Sequence, residues 1–181
     1  MIDQLLYHYL ARLHSQRRVQ GRILNVGLGS GLSAQLMLDK RGVQALVTLE
    51  RSQEAIDRYR LTYSTHPYEQ FHKIVLGDAA DLAAVRDQLE APFDFVYVDT
   101  IEDFKDNHYD DLRRFCVSLK TLALLKPSGV LMIEYQADVP IEREFRNHWV
   151  KQHYQEVMER QALNPSAGGR AQQMLYYRLP S

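Results

Sequence analysis

An internal disulfide is excluded at the outset, because Cys116 is the only cysteine in 181 residues. A lone thiol suits a reducing compartment. Its position in a helical pattern between Phe115 and Val117 reads as a core thiol rather than a nucleophile. Long apolar runs are also lacking. No stretch reaches the roughly 18 residues of a membrane span, and the first residues carry no apolar signal-peptide core. A cytoplasmic protein without membrane contact is expected. An excess of one charge is lacking too: 22 Lys+Arg stand against 23 Asp+Glu, for a formal net charge of −1. That balance gives no long-range pull toward nucleic acid. Basic pairs such as Arg17-Arg18 and Arg113-Arg114 have acidic neighbours and read as solvated helix faces. None of the seven histidines stands at zinc spacing from the cysteine, and no metal is expected.

The chain does contain a glycine turn between apolar segments. Ile23-Leu-Asn-Val26 reads as a buried strand that stops at Gly27-Leu-Gly-Ser-Gly31. The helical pattern Leu32-Ser-Ala-Gln-Leu-Met-Leu38 follows. Glycines at alternate positions let backbone approach a ligand closely, and a helix start offers unpaired N–H groups. A second apolar run, Ala45-Leu-Val-Thr-Leu49, closes on Glu50. In an open parallel sheet this puts a carboxylate at the end of the second strand, where it can accept hydrogen bonds from a ribose diol. The pattern is that of a nucleotide-type cofactor site.

Strand and helix signals alternate along the rest of the chain. Apolar residues between 2 and 16 have the spacing of an amphipathic helix. Strands are expected at 22–27, 44–50, 71–76, 93–99 and 130–135. Helices are expected at 31–40, from a Ser52 cap through Tyr63, from Asp81 to Leu89, from the loop ending near Asn107 to about Leu125, and from Pro140 to Trp149. Lys126-Pro-Ser-Gly129 reads as a turn. Two β-like runs, 153–162 and 171–179, flank Asn164-Pro-Ser-Ala-Gly-Gly169 as a long-looped hairpin. The expected fold is α/β: a Rossmann-like doubly wound sheet of seven strands, mostly parallel, with an antiparallel terminal hairpin strand. Residues 1–20 are expected to form an N-terminal helix acting as lid or packing element, and 21–181 a single domain.

This order resembles the class I S-adenosylmethionine-dependent methyltransferases, across nearly the whole chain. Gly27, Gly29 and Gly31 match the family's first motif, in which the loop approaches the methionine part of the cofactor. Asn25 stands where the family usually has an acid, which removes a charge that would favour the cofactor's ammonium. Val47-Thr-Leu-Glu-Arg-Ser52 resembles the second motif, with Glu50 in the ribose-binding position followed by Arg51. Gly77-Asp78-Ala79 resembles the adenine-holding motif. The resemblance therefore implies S-adenosylmethionine as cofactor, held by Asn25, Gly27, Gly29, Gly31, Glu50, Arg51, Asp78, Ala79 and Asp99. Each has a plainer reading as well, since glycine turns are common and Asp is a frequent helix cap.

Asp99 ends Phe93-Asp-Phe-Val-Tyr-Val-Asp99, at the family's fourth motif, where it would orient an acceptor amine or take its proton. Glu134 is a second candidate carboxylate, if strand alternation turns it to the same crevice. Asp99 and Glu134 are thus the candidate catalytic residues, and N-methylation is favoured over O-methylation. Metal-dependent catechol-type O-methyltransferases look similar through Pro92–Asp99, but their later metal-holding pattern is missing. Guanidinoacetate-type N-methyltransferases share Tyr97-Val-Asp-Thr100. Aminopropyltransferases, which use the decarboxylated cofactor, are the alternative enzyme reading, although Asp103 falls one residue late for their pattern. A non-catalytic cofactor-binding partner subunit is the alternative outside enzymes. The expected acceptor is a small polar molecule, and with so small a lid a homodimer would complete the pocket. His108 is a candidate at the mouth of the site, whereas the other histidines read as structural. Tyr7, Tyr9, Tyr135, Tyr176 and Tyr177 read first as packing residues.

Overall fold

The computed structural model describes residues 19–98, 108–136, 155–162 and 172–178, with side chains over 19–98 and 111–133. The expected helices at 2–16 and 140–149 lie outside these residues. Seven strands form one sheet: β1 (Gly21–Val26), β2 (Val43–Glu50), β3 (His72–Leu76), β4 (Phe93–Val98), β5 (Leu125–Gln136), β6 (Gln155–Ala162) and β7 (Gln172–Arg178), in the order β3-β2-β1-β4-β5-β7-β6. The first five are parallel. β7 runs antiparallel to both β5 and β6. The doubly wound sheet with a terminal hairpin is therefore as the sequence predicts.

Alternation along the strands sends side chains to two cores. On one face Leu24, Val26, Val47, Leu49, Val96 and Val98 pack against α3 (Leu82–Leu89) and α4 (His108–Thr121). On the other, Ile23, Leu46, Phe95 and Tyr97 pack against α1 (Leu32–Leu38) and α2 (Gln53–Tyr63). Residues 95–98 are buried without interruption, as a central parallel strand covered on both faces requires. Ser52 caps α2 by accepting the Ala55 N–H, and Asp81 caps α3 by accepting that of Ala84. Both caps fall where the sequence puts them.

Three boundaries differ from expectation. α1 stops at Leu38 rather than residue 40, because the chain tightens there: the Lys40 N–H bonds back to the Met37 carbonyl. β3 begins at His72, since Glu69–Phe71 form a single 3-10 turn. The largest difference is at α4, which ends at Thr121 and not near Leu125. Ala123 takes φ +52°, and the Ala123 and Leu124 N–H groups bond to the Lys120 and Leu119 carbonyls at 3.1 and 3.0 Å. That is a Schellman ending, usually built on glycine. With alanine in the left-handed position, the sequence gives no stop signal. Burial is what turns the chain: Leu124 and Leu125 are almost fully buried, and the Leu124 carbonyl accepts the Phe93 N–H at 2.7 Å.

β5 consequently starts at Leu125, and Lys126–Gly129 loop out of its pairing with β4 rather than preceding it. Asp94 holds this bulge. One carboxylate oxygen accepts from Lys126 Nζ at 2.7 Å, the other from the Arg22 N–H at 2.8 Å. Burial pushes the Asp94 carboxyl up, but these two donors outweigh it and hold it below its usual range. Cys116 is fully buried, with its thiol pushed up by desolvation, in line with a core thiol.

Candidate cofactor site

The turn after β1 is built from backbone that side chains rarely tolerate. Gly29 and Gly31 have φ values of +51° and +82°. The two have different surroundings. A Cβ on Gly31 would overlap the Tyr59 ring, so α2 packs directly under the turn there. A Cβ on Gly29 would meet nothing within 4 Å. The turn is thus packed from within at Gly31 and open outward at Gly29. Gly27, also at positive φ, ties the turn to the next strand, its N–H reaching the Leu49 carbonyl at 2.9 Å.

Glu50, the last residue of β2, is nearly buried at 9% exposure. One of its oxygens accepts the Leu28 N–H and the other the Ser52 N–H, each at 2.8 Å. A carboxylate oxygen has two lone pairs, so each keeps an acceptor position after these bonds. The Glu50 carbonyl in turn accepts the Gly77 N–H at 2.9 Å. The turns after β1, β2 and β3 are thereby joined at the carboxyl edge of the sheet, which is where open α/β sheets bind ligands.

The remaining sequence-derived residues take varied positions. Asp78 is exposed and caps the short turn Ala79–Asp81 by accepting the Ala80 N–H at 2.8 Å. Ala79 is partly buried against the core. Arg51 is exposed beside Glu50. Asp99 lies outside the described residues, next in sequence after the end of β4. Glu134 is in β5, with Met174 as its backbone partner, and its side chain is likewise outside the description. His108 opens α4.

Asn25 is fully buried beneath the turn, where its Nδ2 donates to the Gly27 carbonyl at 2.9 Å and lies 3.4 Å from Thr48 Oγ1. Its Oδ1 has no partner among the described residues. Thr48 Oγ1 is 2.8 Å from His72 Nε2, and His72 Nδ1 lies 3.0 Å from the Tyr59 hydroxyl and 3.2 Å from Glu69 Oε1. Tyr59 also donates to Glu69 Oε2 at 3.0 Å and accepts from Gln35 Nε2. One proton arrangement satisfies this chain: Thr48 donates to Nε2 of a neutral His72, whose Nδ1–H points to Glu69 and Tyr59. Burial lowers the His72 pKa, against an opposing pull from Glu69. Burial and the Glu69 carboxylate both push the Tyr59 hydroxyl up. His72 therefore does more than flank a strand. Sequence reasoning missed this network because its members come from α1, α2, β1, β2 and β3, at no fixed spacing.

A family model described as a methyltransferase domain matches residues 2–164. The chain belongs to the methyltransferase-domain family. Its fold is shared with solved structures at low identity. The glycopeptide N-methyltransferase MtfA superposes with a TM-score of 0.72 at 15% identity, over 95% of each chain. Fibrillarin from Aeropyrum pernix, solved with natively bound S-adenosyl-L-methionine, gives 0.69 at 16% identity, over 88% of this chain and 68% of that one. TrmN from Thermus thermophilus gives 0.69 at 15%, over 96% of this chain and 48% of that one. No curated protein sequence matches. The resemblance to class I methyltransferases is thus borne out for family and fold. Among the described residues no helix is long and apolar enough to cross a membrane, and no cluster of metal-ligating side chains occurs.

The residues present fit the family's donor, S-adenosylmethionine. Gly29 leaves backbone open to solvent, Glu50 retains an acceptor position on each oxygen, and Asn25 Oδ1 is an acceptor without a partner among the described residues.

Proposed function

We propose that this methyltransferase-family protein transfers a methyl group from S-adenosylmethionine to a small polar acceptor, with nitrogen favoured over oxygen. The observation that carries the reading is Glu50: its carboxylate is fixed by one backbone N–H on each oxygen, with an acceptor position left on each. Such a group is preorganised for two hydroxyls of a ribose diol, in charge-assisted hydrogen bonds. Asp78 and Ala79, at the end of the neighbouring strand, are assigned to the adenine. Gly27, Gly29 and Gly31 are assigned to the methionine portion, and Arg51 to the rim.

The donor supplies an electrophilic methyl group on a sulfonium, whose leaving group needs no acid. What the protein contributes is then mainly to hold the acceptor in line at short range. Asp99 and Glu134 are given that role, because a carboxylate orients a cationic amine or guanidine and accepts its proton. The balanced net charge and the absence of a basic tract support a small acceptor over a nucleic acid.

Calorimetric titration with S-adenosylmethionine, its demethylated product, decarboxylated S-adenosylmethionine and NAD tests the reading. Preference for the first two is expected. Preference for the decarboxylated form would move the protein to the aminopropyltransferases, and silence toward all four would favour the partner-subunit reading. Asp99→Asn is expected to abolish turnover while leaving donor affinity nearly unchanged; equal loss of both would place Asp99 in donor binding or folding.

A further inference from the structure

The opposite edge of the sheet holds an unexplained cation. Lys40 follows α1 just before β2 begins, and only 7% of its surface is exposed. No side-chain hydrogen bond or ion pair satisfies it among the described residues, and desolvation alone lowers its pKa to about 8. Its acidic neighbour Asp39 is engaged elsewhere, 3.2 Å from His66 Nε2. The Lys40 Nζ is not one of the fully buried atoms without a partner, so the aliphatic stem is covered while the ammonium stays within reach of solvent.

Lys40 lines a half-open cavity of about 190 Å³, together with Arg41 and the apolar side chains of Leu38, Val43, Tyr68 and Phe71. Tyr68 and Phe71 are 47% and 48% exposed, as aromatic rings at the mouth of a pocket would be. The volume is below the roughly 300 Å³ at which drug-sized sites begin. Val43, which lines this cavity, and Glu50 stand at opposite ends of β2, about 23 Å apart at strand rise.

We propose that this cavity is a second ligand site, which binds a small organic monoanion: a carboxylate paired with Lys40, carrying an aromatic or aliphatic body packed on Tyr68 and Phe71. The carboxylate supplies the counter-charge that the fold does not, in a charge-assisted hydrogen bond at low dielectric. Apolar walls select against a strongly hydrated ion such as inorganic phosphate. Asp39 on the same wall disfavours a second negative charge on the ligand.

The test is a titration of the full chain with benzoate, phenylacetate and hexanoate, followed by heteronuclear NMR. Benzyl alcohol and inorganic phosphate serve as uncharged and body-less controls. Saturable shifts at Lys40, Tyr68 and Phe71, with a Kd of about 1 mM or tighter for at least one acid, are expected. The controls should bind at least tenfold more weakly. Lys40→Met, which keeps length and removes charge, should weaken the acid at least tenfold, and affinity in the native protein should fall above about pH 8 as Lys40 loses its proton. Independently of any variant, the bound acid should protect Lys40 from acylation by acetic anhydride, read by mass spectrometry. No saturable shift with any of the acids, equal affinity in Lys40→Met, or unprotected Lys40 at saturation would overturn the proposal. So would shifts confined to the glycine turn, which would place the acids in the donor site.

Discussion

The Glu50 carboxylate holds the Leu28 N–H at 2.8 Å, so the group assigned to the ribose also fixes the glycine turn. Donor binding and turn geometry are thus linked through one side chain. In Glu50→Gln an amide NH₂ replaces one oxygen and meets a backbone N–H, donor against donor. The expected cost is about 1–3 kcal/mol of folding stability, with donor affinity falling at least tenfold. Thermal melts and calorimetry on the same samples measure both; an unchanged affinity would exclude Glu50 from the site.

His72 makes folding depend on acidity. Its side chain has no solvent exposure and meets Glu69, Tyr59 and Thr48. Burial lowers its folded-state pKa, so the unfolded chain binds the proton more readily. Stability is therefore lost as pH falls below about 6.5, the unfolded histidine value. Protonation would also turn His72 Nε2 from acceptor into donor, so the Thr48 hydroxyl would lose the group it donates to. Melting temperatures of the native protein and His72→Gln between pH 5 and 7.5 should diverge, with the native protein falling more steeply on the acid side. Parallel slopes would refute the assignment.

Lys40 shifts stability at the alkaline end. Its folded pKa is about 8 against an ordinary 10.5, so between these values the unfolded chain holds the proton and the folded one does not. Stability should rise with pH across that window. Lys40→Met should lack the rise and be the more stable protein at pH 7. Denaturant midpoints at pH 7, 8.5 and 10 check both points.

Ala123→Gly should stabilise. Alanine at φ +52° ends α4 in a conformation that costs a non-glycine residue about 1–2 kcal/mol. Glycine removes that strain and gives back part of it through the greater freedom of the unfolded chain. A melting temperature raised by a few degrees is expected. A lowered one would mean that the alanine methyl contributes packing that outweighs its strain.

The alternation of strand and helix was legible because a covered parallel strand must be apolar, as at residues 95–98, and because Ser52 and Asp81 announce their helices. The end of α4 was not, because its stop depends on burying Leu124 and Leu125 rather than on a glycine. The same division holds at the site. Gly27, Gly29, Gly31 and Glu50 are close in sequence and have a recognisable spacing. Gln35, Thr48, Tyr59, Glu69 and His72 meet only once two strands, two helices and a 3-10 turn are assembled, so no local pattern reveals them.

The strand order also sets how the molecule comes apart. Among the described residues β1 is paired on both sides, by β2 and β4, whereas β3 is paired only with β2. Edge strands open at lower free energy than central ones. Amide exchange should then be slowest at Ile23–Val26 and faster along β3. A breathing β3 detaches His72 from Thr48, while Asn25 still holds the Gly27 carbonyl from the protected strand. The turn would thus retain its shape through openings that loosen the histidine behind it.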